Sequence, residues 1–329
     1  MATTKKKTTS AKAGDGNDGG ANAPHADGIP QSEYAGRRKS VLAALKKSVG
    51  VIYAGDAESD LHGTFRPHPH FEYLTGVTDE PGAVLVLDPT NPVEARRAML
   101  FLKPLNPELE QWDGLRLKIG EALRQKTGVQ AVFRIMYLPR FLNEAVQRSR
   151  SMACLHPLAQ YDQPVSPDLA LFRKVAERIP GAQIRDATDV MAKLRSVKSP
   201  AEVKLIERAI DITNTALHAV WAATTPGMNE FDVQEVLEHA YRTNGSRGSA
   251  FPTIVGSHIN STVLHYRAND RTIGDGEMIC LDSGAAYMGY GADITRAFPS
   301  NGAFTDRQRE IYELVLKAEE AAIKPVKPG

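Results

Sequence analysis

The sequence predicts a two-domain α/β protein, and three observations carry that prediction. The chain is 329 residues long, about twice a typical domain. Short strand-like runs alternate with helical patterns from Tyr34 to about Tyr161. From Ser199 onward a capped helix and a second helix lead into closely spaced β-rich runs. With 42% apolar and 24% charged residues the composition is that of an ordinary globular protein, which excludes collagen, wholesale disorder and mucin-like stalks. The formal charge of +1 argues against nucleic-acid binding. No apolar run approaches the roughly 18 residues of a membrane-spanning helix. Cys154 and Cys280 lie far apart in no CxxC spacing, so neither a disulfide framework nor a zinc ribbon is indicated. The expectation is a cytoplasmic protein with no nucleic-acid or membrane partner.

Along the chain, residues 1–30 hold Ile29 as their one branched aliphatic residue and no aromatic, which is too little to build a core. The stretch lacks the apolar region of a secretory signal, and its three aspartates without any arginine do not suit a transit peptide. It reads as a disordered polar tail in which Lys5 to Lys7 are a solvated run. Residues 31–165 form the first domain. Strands are expected at 51–54, 83–88, 98–103, 131–136 and 152–155, with helices at 37–48, 115–127 and 142–148, which makes a mixed sheet flanked by helices. Pro164 and Pro167 open a connecting helical region over 166–198.

The second domain occupies 199–329. Ser199, Pro200 and Glu202 form a capping box that should start a helix running to about Ala223. Gly227 and Asn229 interrupt it, and Phe231, Val233, Val236 and Leu237 form the apolar stripe of the next helix. Strands are expected at 253–255, 278–281, 287–290 and 294–298. Thr305 and Gln308 form a second capping box for a helix to about Ile323.

The candidate chemistry lies between Leu281 and Pro299. Asp282 ends one expected strand and Asp293 begins another, with Gly284, Gly289 and Gly291 between them. Two readings are open. The aspartates cap the ends of a hairpin, as turns often require, or adjacent strands aim two hard oxygen ligands at divalent cations, the core of a two-metal hydrolase site. His265, at the end of the polar loop 256–261, is either a structural hydrogen bonder or a donor to substrate. His68 and His70 lie among prolines and read as surface residues of a connector. Asp56, Glu58 and Asp60 read as a solvated cluster.

Several of these stretches together resemble the Xaa-Pro aminopeptidases (aminopeptidase P), members of the pita-bread metallopeptidases. In the first domain the resemblance rests on Phe71-Glu-Tyr-Leu-Thr-Gly76 and Glu80-Pro-Gly-Ala-Val-Leu-Val-Leu87. In the second it rests on Leu194-Arg-Ser-Val-Lys-Ser-Pro-Ala-Glu202, on His265-Tyr266, and on the stretch from Asp282 to Asp293 that continues to Thr295-Arg296-Ala-Phe-Pro299. It covers the chain from Tyr34 to its end. It implies a creatinase/prolidase-type mixed-sheet domain followed by a pita-bread catalytic domain that is incomplete at its C-terminus. The implied activity is release of an N-terminal residue linked to proline by a hydroxide bridging two metal ions, usually manganese. Asp282 would chelate one ion, Asp293 would bridge both, and His265 would contact the substrate. The implied partner is a peptide with proline at its second position, and the first domain implies a possible homo-oligomer. A prolidase confined to dipeptides and a silent pita-bread binding module are the alternatives.

The resemblance also implies ligands that the sequence does not contain. His265 is the last histidine, and the acids after Asp293 all fall on or beside one expected helix, matching no family ligand. Two aspartates cannot fill two coordination spheres. The chain is therefore expected to stop in mid-domain and, alone, to bind metal weakly and hydrolyse little.

Overall fold

A computed structural model describes residues 28–56, 65–116 and 118–329. The expected polar tail falls almost wholly outside the described residues.

The first domain is built around a six-stranded mixed sheet. Helix α1 (Gln31–Leu45) leads into β1 (Val49–Tyr53). Helix α2 (Pro69–Thr75) follows, then β2 (Val84–Leu87), β3 (Ala98–Leu102), α3 (Pro107–Asp113) and α4 (Glu121–Thr127). Strand β4 (Ala131–Arg134), helix α5 (Leu138–Ser149), strand β5 (Ser151–Cys154), helix α6 (Pro167–Ala176), strand β6 (Gln183–Asp186) and helix α7 (Thr188–Ser196) complete it. The strand order is β4-β3-β2-β1-β5-β6, with β1–β2 and β2–β3 antiparallel and the other pairs parallel. Its central strands are apolar throughout because helices cover both faces. Leu85, Leu87, Leu100 and Leu102 pack to one side with Phe71 and Leu45, while Val84, Val86, Met99 and Phe101 pack to the other with Leu142 and Val146.

Three features differ from the sequence expectations. The stretch from Arg66 to His70 is not a plain connector: Pro69 takes the first position of α2 and the His68 side chain caps it, accepting from the His70 N–H at 3.2 Å. The region 166–198 contains β6, which pairs with β5 and extends the sheet to Asp186. The helix expected over 115–127 is confined to α4, since Gly120 stands extended ahead of it.

The second region starts with α8 (Pro200–Ala223), opened by the expected box: the Glu202 N–H donates to Ser199 Oγ and the Ser199 N–H to Glu202 Oε2. Helix α9 (Glu230–Thr243), β7 (Ile254–Ser257) and β8 (Met278–Ser283) follow. The run expected as one strand at 287–290 is a hairpin of β9 (Ala286–Tyr287) and β10 (Tyr290–Gly291). Met288 and Gly289 turn it with positive φ of 47° and 83°, the pattern of a two-residue type I′ turn. Strand β11 (Ile294–Pro299) and helix α10 (Asp306–Ile323) complete the chain, the latter opened by the Thr305–Gln308 box. The antiparallel sheet β11-β8-β7 has β11 at one edge. Leu205, Ile212 and Leu217 of α8 and Val233, Leu237 and Tyr241 of α9 bury one face of this sheet with Val255, Ile279 and Leu281. None of the residues of α10 is buried. No helix among the described residues is long and apolar enough to cross a membrane.

Candidate metal centre

Strand β8 alternates in burial, with Ile279, Leu281 and Ser283 turned to the helices and Cys280 and Asp282 to the other face. The register with β11 pairs Asp282 with Thr295. Thr295 Oγ1 donates to Asp282 Oδ1 at 2.7 Å, so the two side chains share a face, and Oδ2 has no hydrogen bond among the described residues. Asp293 is exposed and lies immediately before β11, two residues ahead of Thr295.

The pair depends on a close backbone approach. A Cβ on Gly284 would lie 1.7 Å from the Ala292 carbonyl oxygen, so only glycine lets the Ala292–Asp293 peptide pass beside Asp282. Behind this face stands a row of buried hydroxyls. Tyr241 OH donates to Ser283 Oγ at 3.1 Å, Ser283 and Thr253 hydroxyls meet at 3.2 Å, and Thr253 donates to Glu238. Thr213 Oγ1, in the middle of α8, accepts from the Ala285 N–H at 2.9 Å and donates to the Ala209 carbonyl at 2.8 Å.

His265 lies on the segment that follows a 3₁₀ turn at His258–Thr262, and it is exposed, with no hydrogen bond among the described residues. The segment is tied down by Glu230, a fully buried carboxylate at the first position of α9. Glu230 Oε1 accepts from the Ser257 N–H and Oγ, both at 2.7 Å, and Oε2 from Tyr266 OH at 2.7 Å and the Arg271 N–H at 3.1 Å. Burial raises the Glu230 pKa, but the donors from Ser257, Tyr266 and Arg271 outweigh it, so the carboxyl stays ionised below its usual range. The neighbouring Tyr266 phenol is pushed up to about 12 by desolvation and by its bond to Glu230.

Sequence reasoning missed Glu230 because an acid in the first turn of a helix reads as favourable to the helix dipole and nothing more. It also misread the histidines of the first domain. The His68 and His156 rings meet at a tilt with centroids 4.5 Å apart, and His70 stands edge-on to His68 at 5.0 Å. Their nitrogens are engaged: His156 Nε2 accepts from the Tyr53 N–H at 3.0 Å, and His70 Nδ1 faces Arg195 Nη1 at 3.0 Å. Burial, with the neighbouring positive charges, lowers His68 to about 3 and His70 to about 4, so the group is neutral near pH 7. A cavity of about 940 Å³ lies nearby, between α2, α7, the start of α8 and the β9–β10 turn, and it contains none of Asp282, Asp293 and His265.

Asp282 and Asp293 are hard oxygen donors of the kind a divalent cation takes. In number they fall short: among the described residues no group of three or more His, Cys, Asp or Glu could hold a metal ion. Asp282 stands on β8, Asp293 immediately before β11 and His265 on the loop between β7 and β8, and no hydrogen bond joins them among the described residues.

Comparison with known proteins shows the family. Residues 204–329 match the model of Metallopeptidase family M24, and residues 34–154 match that of Aminopeptidase P, N-terminal domain. The chain is 32% identical over 306 residues to the Xaa-Pro aminopeptidase of Haemophilus influenzae, an alignment that covers 92% of this chain and 68% of that protein. Its fold superposes on aminopeptidase PepP of Pseudomonas aeruginosa with a TM-score of 0.81 and 32% identity, covering 92% of this chain and 69% of that one. It also superposes on a zinc-substituted Escherichia coli aminopeptidase P in complex with product, with a TM-score of 0.79, 29% identity and coverage of 92% and 69%. The two-domain α/β architecture, the mixed first sheet and the resemblance carried by the motifs thus agree, and the chain belongs to the Xaa-Pro aminopeptidase (aminopeptidase P) family of metallopeptidases.

Proposed function

We propose that the chain carries the Asp282 and Asp293 part of the catalytic centre of a metal-dependent aminopeptidase that releases an N-terminal residue linked to proline. The observation that supports this most is the β8–β11 register, with Thr295 bonded to Asp282 and Asp293 immediately ahead of β11. In this reading Asp282 and Asp293 hold two divalent ions, manganese first among them, together with ligands beyond the described set. Such ions, when bound, supply an activated water at neutral pH and polarise the scissile carbonyl. Thr295 holds the Asp282 carboxylate through Oδ1. His265 donates a hydrogen bond to the substrate, held at the right depth by Tyr266 and Glu230. The substrate is a peptide with proline second, the setting is the cytoplasm, and the first domain offers a surface for a second copy of the chain.

The test is calorimetric titration with manganese, paired with hydrolysis of Xaa-Pro and Xaa-Ala peptides. It is run on this chain, on a form given the additional length its relatives carry, and on Asp293→Ala in that longer form. The reading expects tight binding and selective Xaa-Pro cleavage in the longer form, and loss of both in Asp293→Ala. Unchanged metal content in that variant overturns the ligand assignment.

A further inference from the structure

Three helices among the described residues open with a capping box, and they are not alike. Asp232 of α9 and Gln308 of α10 reach back to the cap residue from positions that are not buried. Glu202 of α8 is 3% exposed. A cap needs one oxygen of the side chain, and Glu202 gives Oε2 to the Ser199 N–H at 2.8 Å. Its other oxygen, Oε1, accepts from Tyr290 OH at 2.7 Å. Burying a carboxylate is costly unless its remaining lone pairs are used, so this second bond requires its own account.

Tyr290 begins β10, three residues before Asp293. The turn before it, Met288 and Gly289, borders the cavity of about 940 Å³ and passes close to the Glu72 carboxylate of α2. The base of the hairpin is fixed by the Ala292 N–H donating to the Ala285 carbonyl at 3.1 Å, and the strand on the other side of the turn by Tyr287 in the core. The far strand is held to α8 by the Tyr290 hydroxyl.

Behind Glu202 stands the first domain. Arg37 of α1 is 6% exposed, with its guanidinium over the Tyr73 ring at 4.0 Å and beside the Tyr34 ring at 5.4 Å. Its Nη1 donates to the Tyr73 carbonyl at 3.0 Å and its Nη2 to Glu33 Oε1 at 2.6 Å, and Nη2 also lies 3.4 Å from Glu202 Oε2. Glu33 Oε1 in turn accepts from Ser199 Oγ at 2.7 Å. One contiguous set of charge-assisted bonds therefore runs from α1 through the start of α8 to the strand that leads into Asp293.

We propose that Glu202 and Tyr290 are positioning residues for the Asp293 carboxylate, and that Arg37 couples them to the first domain. The proposal rests on the reading of Asp293 as a site residue. The first domain then acts on the Asp293 carboxylate through α1.

The experiment is amide hydrogen exchange on the full chain, with manganese affinity measured in parallel on the longer form. Tyr290→Phe removes one hydroxyl and leaves the ring and the α8 cap in place. Exchange over 285–293 is expected to speed up about tenfold or more, the size of a lost charge-assisted hydrogen bond, while α9 and β7 keep their protection. Arg37→Met, in the other domain, is expected to loosen the same hairpin, and Tyr290→Phe to weaken manganese binding. Unchanged hairpin exchange in both variants overturns the coupling. Faster exchange spread evenly over all elements also overturns it, since that is general destabilisation. A loosened hairpin with manganese affinity untouched overturns the positioning of Asp293. Asp293→Ala separates the two ideas: if it leaves metal binding intact, the ligand reading fails while the exchange data still decide the coupling.

Discussion

The two sheets of this chain are built to opposite plans. In the first domain β2 is buried at every position and β3 at all but Ala98, with helices on both faces. In the second region β8 alternates between buried and half-buried, β11 buries only Pro299, and α10 buries nothing. Where both faces are covered, side chains serve packing alone. Where one face is open, polar residues such as Asp282 and Thr295 can stand on a strand without being desolvated.

Substitution at matched apolar positions tests the contrast most sharply. Phe101→Ala in β3, a fully buried ring, is expected to cost about 3–5 kcal/mol in urea unfolding. Leu314→Ala in α10, which is 68% exposed, is expected to change stability by less than about 0.5 kcal/mol. Equal losses at the two positions would show that α10 is covered in solution.

The open sheet has its own rigid point. Gly284→Ala is expected to cost about 3 kcal/mol, the upper end of overpacking, because the atom it meets is a backbone carbonyl that cannot rotate aside. The loss is expected together with weakened manganese binding by the longer form. If calorimetry found metal affinity unchanged, the Ala292–Asp293 approach would not matter to the site.

A gentler probe is pH. His68, His70 and His156 have lowered pKa values in the folded first domain, while the unfolded chain titrates near 6.5. Below that value the unfolded state binds more protons, so stability is full above about pH 6.5 and falls as pH drops toward the folded values of about 4 for His70 and about 3 for His68. In the second region the bond from Arg271 holds Glu277 at about 2, so its contribution persists until pH falls below the usual carboxylate range. Hydrogen exchange resolved by segment should therefore show β1, α2 and β5 loosening before β7 and β8 as the solution is acidified. The reverse order would contradict the burial of the histidine group.

Local signals carried much of this into the sequence. The Ser199 and Thr305 boxes form as the spacing requires, and the apolar runs of β2 and β3 are plain to see. Pro69 misled because the same residue that marks a loop also starts a helix when a capping side chain precedes it. Strand β6 was silent because Gln183, Arg185 and Asp186 lie exposed at the sheet edge and leave Ile184 as its one apolar residue. At the site the residue types were legible and their relations were not. That Thr295 faces Asp282 is a matter of register, and that Glu230 gathers Ser257, Tyr266 and Arg271 is a matter of contacts up to 41 positions apart.

Strand β11 sits at the rim of its sheet, with no further strand on its outer side among the described residues. A row of unspent amide and carbonyl groups is a template on which another chain can crystallise into sheet. Thr295 and Arg296 face water there, and the charge of Arg296 discourages such stacking, while Pro299 offers no N–H at the far end. Refolding should accordingly be a contest of orders: first order in chain for the native ladder, second order for its misuse, with yield falling as the protein is concentrated.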